Sequence, residues 1–286
     1  MERFEVHADG LTFPVLAAGP ADGRPVLFLH GFPQTAWSFH HQLAAVGDAG
    51  YRGLAFDQRG YAPRARPAAV ADYGIDHLVG DVLAVAGALG LERFDLVGHD
   101  WGAMVAWVTA GRHPERVRTL TAVSVPHPAA FGAALRGGDA DQAQRSAYIE
   151  VFRQPGVAEQ ALLGPEGTGD GLRAMFAASG MPAGAPEVEV FVEAMTQPGA
   201  LTAALNWYRA MTPEAMLAGL GPITMPTLYV WSTADVALGR TAAEDTARWV
   251  DGPYRFEVLE GVSHWIPEAA ADDLSRLLLE HLGAHR

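Results

Sequence analysis

Two short stretches near the start of the chain, residues 4–7 and 11–16, carry strand-like apolar character and flank Asp9-Gly10. Asp-Gly suits a tight two-residue turn, because both central positions must accept positive φ, so this pattern predicts a pair of antiparallel strands. The rhythm then changes. Short apolar runs at 26–29, 54–56, 94–97 and 120–123 alternate with longer amphipathic stretches at 37–46, 75–89 and 103–112. Runs that are apolar at every position fit strands covered on both faces, and intervening helices supply that covering, so the segment predicts strand-helix-strand units around a parallel sheet.

From Pro126 to about Pro222 the alternation stops. The region is rich in Ala, Gly, Met and aromatic residues, is punctuated by Pro155, Pro165, Pro182, Pro186 and Pro198, and contains helical stretches at 141–152 and 201–211. The strand-helix pattern then resumes at 227–231, 241–250 and 256–259, followed by a last amphipathic helix, 269–282, with Gly283 as its expected stop. The two flanks, residues 1–126 and 222–286, are therefore expected to form one α/β core, with 127–221 inserted as a helical cap. No internal repeat or low-complexity tract interrupts this order.

Composition narrows the chemistry. With 286 residues the chain can bury a large core, and its net charge of -13 offers no basic footprint for nucleic acid or an anionic membrane. A small neutral substrate is the expectation. With 0 Cys, disulfides, thiolate metal sites and a cysteine nucleophile are excluded. All 20 basic residues are Arg, which excludes Schiff-base lysine chemistry and a P-loop. Residues 1–10 carry Glu2, Arg3 and Glu5 without an apolar signal run, and no segment reaches membrane-spanning length, so a soluble cytoplasmic protein is expected. His40, His41, His281 and His285 read as surface helix residues.

The central motif is Gly98-His99-Asp100-Trp101-Gly102, directly after the apolar run 94–97 and directly before a helical stretch. Small residues on both sides of a central side chain permit the sharp strand-turn-helix elbow that projects a nucleophile above a sheet. Here that side chain is aspartate. A carboxylate attacking through oxygen makes an alkyl ester, so its targets are strained or activated sp3 carbons such as those of epoxides and alkyl halides. The ester then requires a base to activate water, and His264 in Gly261-Val262-Ser263-His264-Trp265 lies on the loop before the last helix. Asp235, just past the apolar run 227–231, is the acid that orients it, since Ser124-Val125-Pro126-His127 after the earlier run offers no carboxylate.

Pattern, elbow and the order nucleophile, acid, histidine together point to an α/β-hydrolase fold, a mostly parallel sheet flanked by helices with an inserted helical cap. That fold places a tight turn after the run 26–29, where His30-Gly31-Phe32-Pro33 stands, so the N–H groups of Phe32 and Trp101 are the expected oxyanion hole. His30 and His99 are read as structural, satisfied by local hydrogen bonds. Asp57-Gln58-Arg59-Gly60-Tyr61 reads as a turn bracing the site. A metal bound by His30, Asp57, His99 and Asp100 has no paired ligand spacing to support it, so neither metal nor cofactor is expected.

These motifs, with Asp235, resemble the soluble epoxide hydrolase family over nearly the whole chain. The resemblance implies two cap tyrosines that hydrogen-bond the epoxide oxygen and protonate it: Tyr148, in Tyr148-Ile149-Glu150-Val151-Phe152-Arg153-Gln154-Pro155-Gly156, and Tyr208, in Asn206-Trp207-Tyr208-Arg209. An alkoxide is a poor leaving group and needs such a donor. Phe32, Trp101 and Trp207 are expected to contact substrate. The core motifs are shared with dehalogenases, the main alternative, but Phe32 stands where haloalkane dehalogenases usually place Asn, and Trp101 where fluoroacetate dehalogenases carry Arg. A binding protein of this fold that has lost activity is a third reading, in which a triad member is usually missing. The substrates implied are an epoxide and water, acted on by a monomer or homodimer.

Overall fold

The computed structural model describes residues 1–285. β1 (Glu2–Ala8) and β2 (Leu11–Ala18) form the opening hairpin, with Asp9 and Gly10 both at positive φ. There follow β3 (Pro25–Leu29), α1 (His40–Asp48), β4 (Arg52–Phe56), α2 (Ile75–Ala88), β5 (Phe94–His99), α3 (Trp101–Arg112) and β6 (Val117–Val123). The chain between β6 and the next strand is helical among the described residues: α4 (Pro128–Arg136), α5 (Ala140–Arg145), α6 (Tyr148–Phe152), α7 (Val157–Leu163), α8 (Asp170–Ala178), α9 (Glu187–Thr196), α10 (Ala200–Ala210) and α11 (Pro213–Leu217). β7 (Thr227–Ala234), α12 (Arg240–Asp245), β8 (Tyr254–Ser263), α13 (Ile266–Ala269) and α14 (Ala271–Ala284) complete the core.

The strands form one eight-stranded sheet in the order β1-β2-β4-β3-β5-β6-β7-β8, antiparallel at β1/β2 and β2/β4 and parallel elsewhere. Side chains of β3 alternate between the faces. Val26 and Phe28 pack with Phe39, Leu43, Leu278 and Leu282, whereas Leu27 and Leu29 join the larger core on the other face with residues of α2 and α3. From β3 the chain moves outward to β4 and then crosses back to β5, so β3 and β5 are neighbours whose following segments diverge. Such a switch point leaves a crevice at the carboxyl ends of the two strands. Residues 30–33 leave β3, and residues 98–102 leave β5, at that crevice.

Several expected elements differ in detail. The stretch 141–152 is two helices, because Ala147 N–H and Ile149 N–H bond carbonyls three residues back and tighten the chain into a 3₁₀-type turn. The stretch 241–250 is α12 followed by a 3₁₀ turn, Thr246–Trp249. The last helix does not stop at Gly283. It runs to Ala284 because Arg24, rather than a left-handed glycine, serves its final carbonyls, donating to Leu282 O at 3.4 Å and His285 O at 2.8 Å. His281, expected at the surface, is buried, because α14 turns that face toward the sheet.

Two ion pairs, each built on a buried carboxylate, brace this frame. Asp95 on β5 accepts a bidentate pair of hydrogen bonds from Arg24 at 2.6 Å and one from Thr119 at 2.8 Å. Arg59, in the turn after β4, grips Asp81 of α2 at 2.6 and 2.7 Å. Burial nonetheless pushes the Asp81 carboxyl above its ordinary value despite Arg59. Desolvation therefore sets the scale of this pair, and losing one partner should cost more than losing both. Asp81→Leu alone is expected to lower unfolding free energy by about 3–5 kcal/mol, and Arg59→Met combined with Asp81→Leu to recover most of it, both read from urea denaturation.

Candidate active site

The elbow after β5 is built by close backbone approach. A Cβ on Gly102 would stand 1.9 Å from Leu29 O, and one on Gly31 2.3 Å from Asp100 Cβ, so neither position admits a side chain. Asp100 itself lies at φ 53, ψ -123, a conformation that costs about 1–3 kcal/mol for a residue with a side chain. The hydrogen bonds from Ala103 N–H and Met104 N–H to Asp100 O, at 2.9 and 3.1 Å, hold it there. α3 begins at Trp101, two residues earlier than the pattern suggested, so the carboxylate sits at the positive end of that helix. Its Oδ1 accepts the Phe32 N–H at 2.7 Å. No hydrogen bond joins the Trp101 N–H to the same carboxylate.

His264 stands between two carboxylates. Its Nδ1 is 2.8 Å from Asp235 Oδ2, a hydrogen bond, and its Nε2 is 3.5 Å from Asp100 Oδ2, an ion-pair contact. Burial disfavours the imidazolium, but Asp235 and Asp100 outweigh it and push His264 up to about 10. Burial raises the Asp100 carboxyl, and the His264 imidazolium, His99 and the Phe32 N–H more than reverse this, leaving it below the ordinary carboxylate value. His264 thus stands in a buried array with Asp235 and Asp100 that favours its protonated form. Asp235 keeps its orientation by accepting the N–H groups of Ala237 and Leu238 at 2.8 and 3.0 Å through Oδ1.

Further residues support the site, and His99, expected to be structural through local hydrogen bonds, does so through distant partners. His99 makes no local hydrogen bonds. Its Nε2 lies 2.9 Å from the His264 carbonyl and its Nδ1 2.9 Å from Gln34 Oε1, while burial lowers its pKa to about 4. Ser124, a non-glycine residue at φ 67, donates to the same His264 carbonyl at 3.1 Å. Beyond Gln34, Glu268 accepts from Gln34 and Ser38 at 2.6 and 2.8 Å, and burial pushes its carboxyl up to about 8. On the helical side, Gln142 of α5 donates to Ala237 O at 2.9 Å and accepts from Gly239 N–H at 2.8 Å, while Arg145 bonds the Asp235 carbonyl. In sequence both are ordinary polar residues of an amphipathic helix. His30 is anchored by Gly31 O at 3.0 Å and by the Gln58 N–H at 3.2 Å, so the turn after β4 braces the turn after β3.

Two cavities meet at Asp100. One, of about 390 Å³, is lined by Trp101, Met104, Val125, Phe131 and Met216. The other, of about 350 Å³, is lined by Phe32, Phe152, Leu162, Met175 and Trp265. Asp100, Tyr148, Tyr208 and Ala237 border both. The two tyrosine rings are 6.2 Å apart, and each packs edge-on against Phe152 at 5.1 Å. Arg153, which ends α6, donates to Tyr208 O and Met211 O, each at 3.1 Å, and so ties the helix carrying Tyr148 to the one carrying Tyr208. Burial, reinforced by the Asp100 charge, raises both phenols above their ordinary value and so favours their protonated form. Trp207 does not reach either cavity. It is fully buried behind Trp101, with its indole N–H donated to Arg59 O at 2.8 Å, which corrects its expected contact with substrate.

The sequence pattern of the alpha/beta hydrolase fold family matches residues 24–271. The chain is 35% identical over 279 residues to the AB hydrolase superfamily protein YfhM of Bacillus subtilis, covering 97% of this chain and 96% of that protein. It is 33% identical over 310 residues to epoxide hydrolase A of Mycobacterium tuberculosis, covering 97% of this chain and 96% of the relative. Among solved structures, epoxide hydrolase A from Mycobacterium thermoresistibile superposes with a TM-score of 0.85 at 29% identity, covering 100% of this chain and 99% of that one.

The array makes stability depend on alkaline pH. Folding raises His264 from 6.5 to about 10, so its contribution is fully present below about pH 6.5 and is lost as pH rises through about 10. Unfolding free energy measured by urea denaturation should fall between neutral pH and about pH 10 in the native chain, and stay flatter over that window in His264→Gln.

Proposed function

The chain belongs to the α/β-hydrolase fold family, among the epoxide hydrolases it matches along its length, and we propose that it opens an epoxide to a vicinal diol through an alkyl ester on Asp100. The observation that carries this reading is the pairing of a buried carboxylate with two tyrosines, Tyr208 buried and Tyr148 half-buried, at the junction of two apolar cavities. A halide departs with hydrogen bonds alone, whereas an alkoxide needs a proton. Protonated tyrosines opposite a carboxylate supply it. The hydrolase acts on a small neutral substrate, which the apolar lining suits. In this reading α4–α11 form the cap, and the tyrosines fix the epoxide oxygen while Asp100 attacks one ring carbon from behind.

The charges favour a particular order of events. As the Asp100 Oδ–carbon bond forms, the epoxide C–O bond breaks and its oxygen takes a proton from a tyrosine. Asp100 is now a neutral ester, so His264 loses one of the two charges that held its proton, and that proton returns to the tyrosinate. The neutral imidazole, kept in place by Asp235, then removes a proton from water attacking Cγ of Asp100. The Phe32 N–H, already 2.7 Å from Asp100 Oδ1, and the Trp101 N–H stabilise the oxyanion. Collapse of the tetrahedral adduct passes its hydroxyl proton to the departing alkoxide. The diol leaves, and the charged array is restored.

Two experiments test the reading. His264→Gln exposed to styrene oxide should gain the whole epoxide mass by intact mass spectrometry, and should gain nothing when Asp100→Asn is added. A gain of only the alkyl group, from a haloalkane and not from the epoxide, would instead establish a dehalogenase. In the Tyr148→Phe/Tyr208→Phe double variant, ester formation followed by rapid quench should slow by about 10²–10⁴-fold. Unchanged ester formation there would remove the tyrosines from the mechanism.

A further inference from the structure

Away from the cavities, His40 and His41 at the start of α1 face Glu187, the first residue of α9. His40 Nε2 lies 3.5 Å and His41 Nε2 3.9 Å from the same oxygen, Glu187 Oε1. One ligand atom from each of the three residues lies within 4.8 Å of the others. We propose that His40, His41 and Glu187 form a binding site for a divalent transition-metal ion, of which zinc is the representative, bridging the core helix α1 and the helix α9 that lies outside the sheet.

Four features support the site. The first is spacing. Ligand atoms about 2.0–2.1 Å from a tetrahedral zinc stand roughly 3.3–3.4 Å from one another, so the two histidine–Glu187 separations of 3.5 and 3.9 Å close to that spacing with shifts of up to about half an ångström. The second is tautomer. His40 Nδ1 lies 2.9 Å from Trp37 O and donates its proton there, so Nε2 presents its lone pair toward Glu187. A ring N–H bonded to a backbone carbonyl is the usual support of a metal-bound histidine. The third is rigidity, since the His40 ring stacks on Trp37 at 4.7 Å with an interplanar angle of 1°. The fourth is burial. The Glu187 side chain is only 9% exposed, no side-chain hydrogen bond serves its carboxylate among the described residues, and a cation shared with two imidazoles would compensate its charge. Two imidazoles and one carboxylate suit zinc, nickel or copper, whereas calcium and magnesium require more oxygen ligands.

α9 packs against α10, which carries Tyr208. The ion would therefore brace the helical layer holding that tyrosine without touching Asp100. With 0 Cys in the chain, no thiolate competes for zinc.

The full-length protein, freed of metal by chelator and dialysis, is titrated with zinc chloride by isothermal calorimetry, and its melting temperature is recorded with and without zinc. One zinc should bind per chain and raise the melting temperature. His41→Ala, at a side chain 49% exposed and so tolerant of change, should weaken binding by at least about tenfold and abolish the thermal shift. Glu187→Gln should do the same, and His41→Ala decides alone if that variant does not fold. Failure of the native chain to bind zinc stoichiometrically overturns the proposal. So does zinc binding that His41→Ala leaves unchanged, which would place the ion elsewhere.

Discussion

Acidic side chains at both ring nitrogens of buried His264, Asp235 at 2.8 Å and Asp100 at 3.5 Å, favour its protonated form. The three members arrive from different strands. Asp100 leaves β5, Asp235 follows β7 and His264 follows β8, so the sheet register fixes their separations. The surrounding contacts guard that register. His99 and Ser124 approach the His264 carbonyl, and Gln142 and Arg145 hold the loop of Asp235. Removing charge from either carboxylate shifts the affinity of the imidazole for its proton. In the proposed mechanism that sensitivity serves a two-step reaction in which Asp100 is ionised first and esterified later.

The helices between β6 and β7 are joined to the core by polar contacts as much as by apolar packing. Trp207 donates to the turn after β4 and α5 closes on the segment beyond β7, while within the helical layer Arg153 secures the carbonyl of Tyr208. The contacts of Trp207 and of α5 end at backbone groups of loops that follow strands of the sheet. The tyrosines are consequently referenced to the same frame as Asp100. In the proposed mechanism this matters, because a proton donor displaced by an ångström loses much of its advantage.

The α/β alternation, the hairpin at Asp9-Gly10 and the elbow around Asp100 were legible because each is a local pattern: period, turn chemistry, or small residues flanking one polar side chain. Asp235 and His264 were legible through chain order alone. Other features needed the third dimension. Whether Gly283 ends a helix depended on Arg24, which lies at the opposite end of the sequence and serves the carbonyl of Leu282. Trp207 looked like a wall of the substrate cavity because it adjoins Tyr208, yet successive residues on a helix point about 100° apart, and it turns inward to Arg59. His99 was read as locally satisfied, and its partners lie 65 and 165 residues away. Neither Gln142 nor Glu268 sits in any motif, since a buried hydrogen bond to another element leaves no periodic trace.

The strand order leaves β1 and β8 at the two margins of the sheet, where unpaired backbone groups face outward. Both margins are charged. β1 carries Glu2, Arg3 and Glu5, and β8 carries Arg255, Glu257 and Glu260. A second chain adding itself strand-to-strand would have to strip water from these groups, so the sheet resists growth into fibrillar aggregates at either end. Charged margins also steer any assembly of folded copies toward helix-covered faces, away from continuation of the sheet.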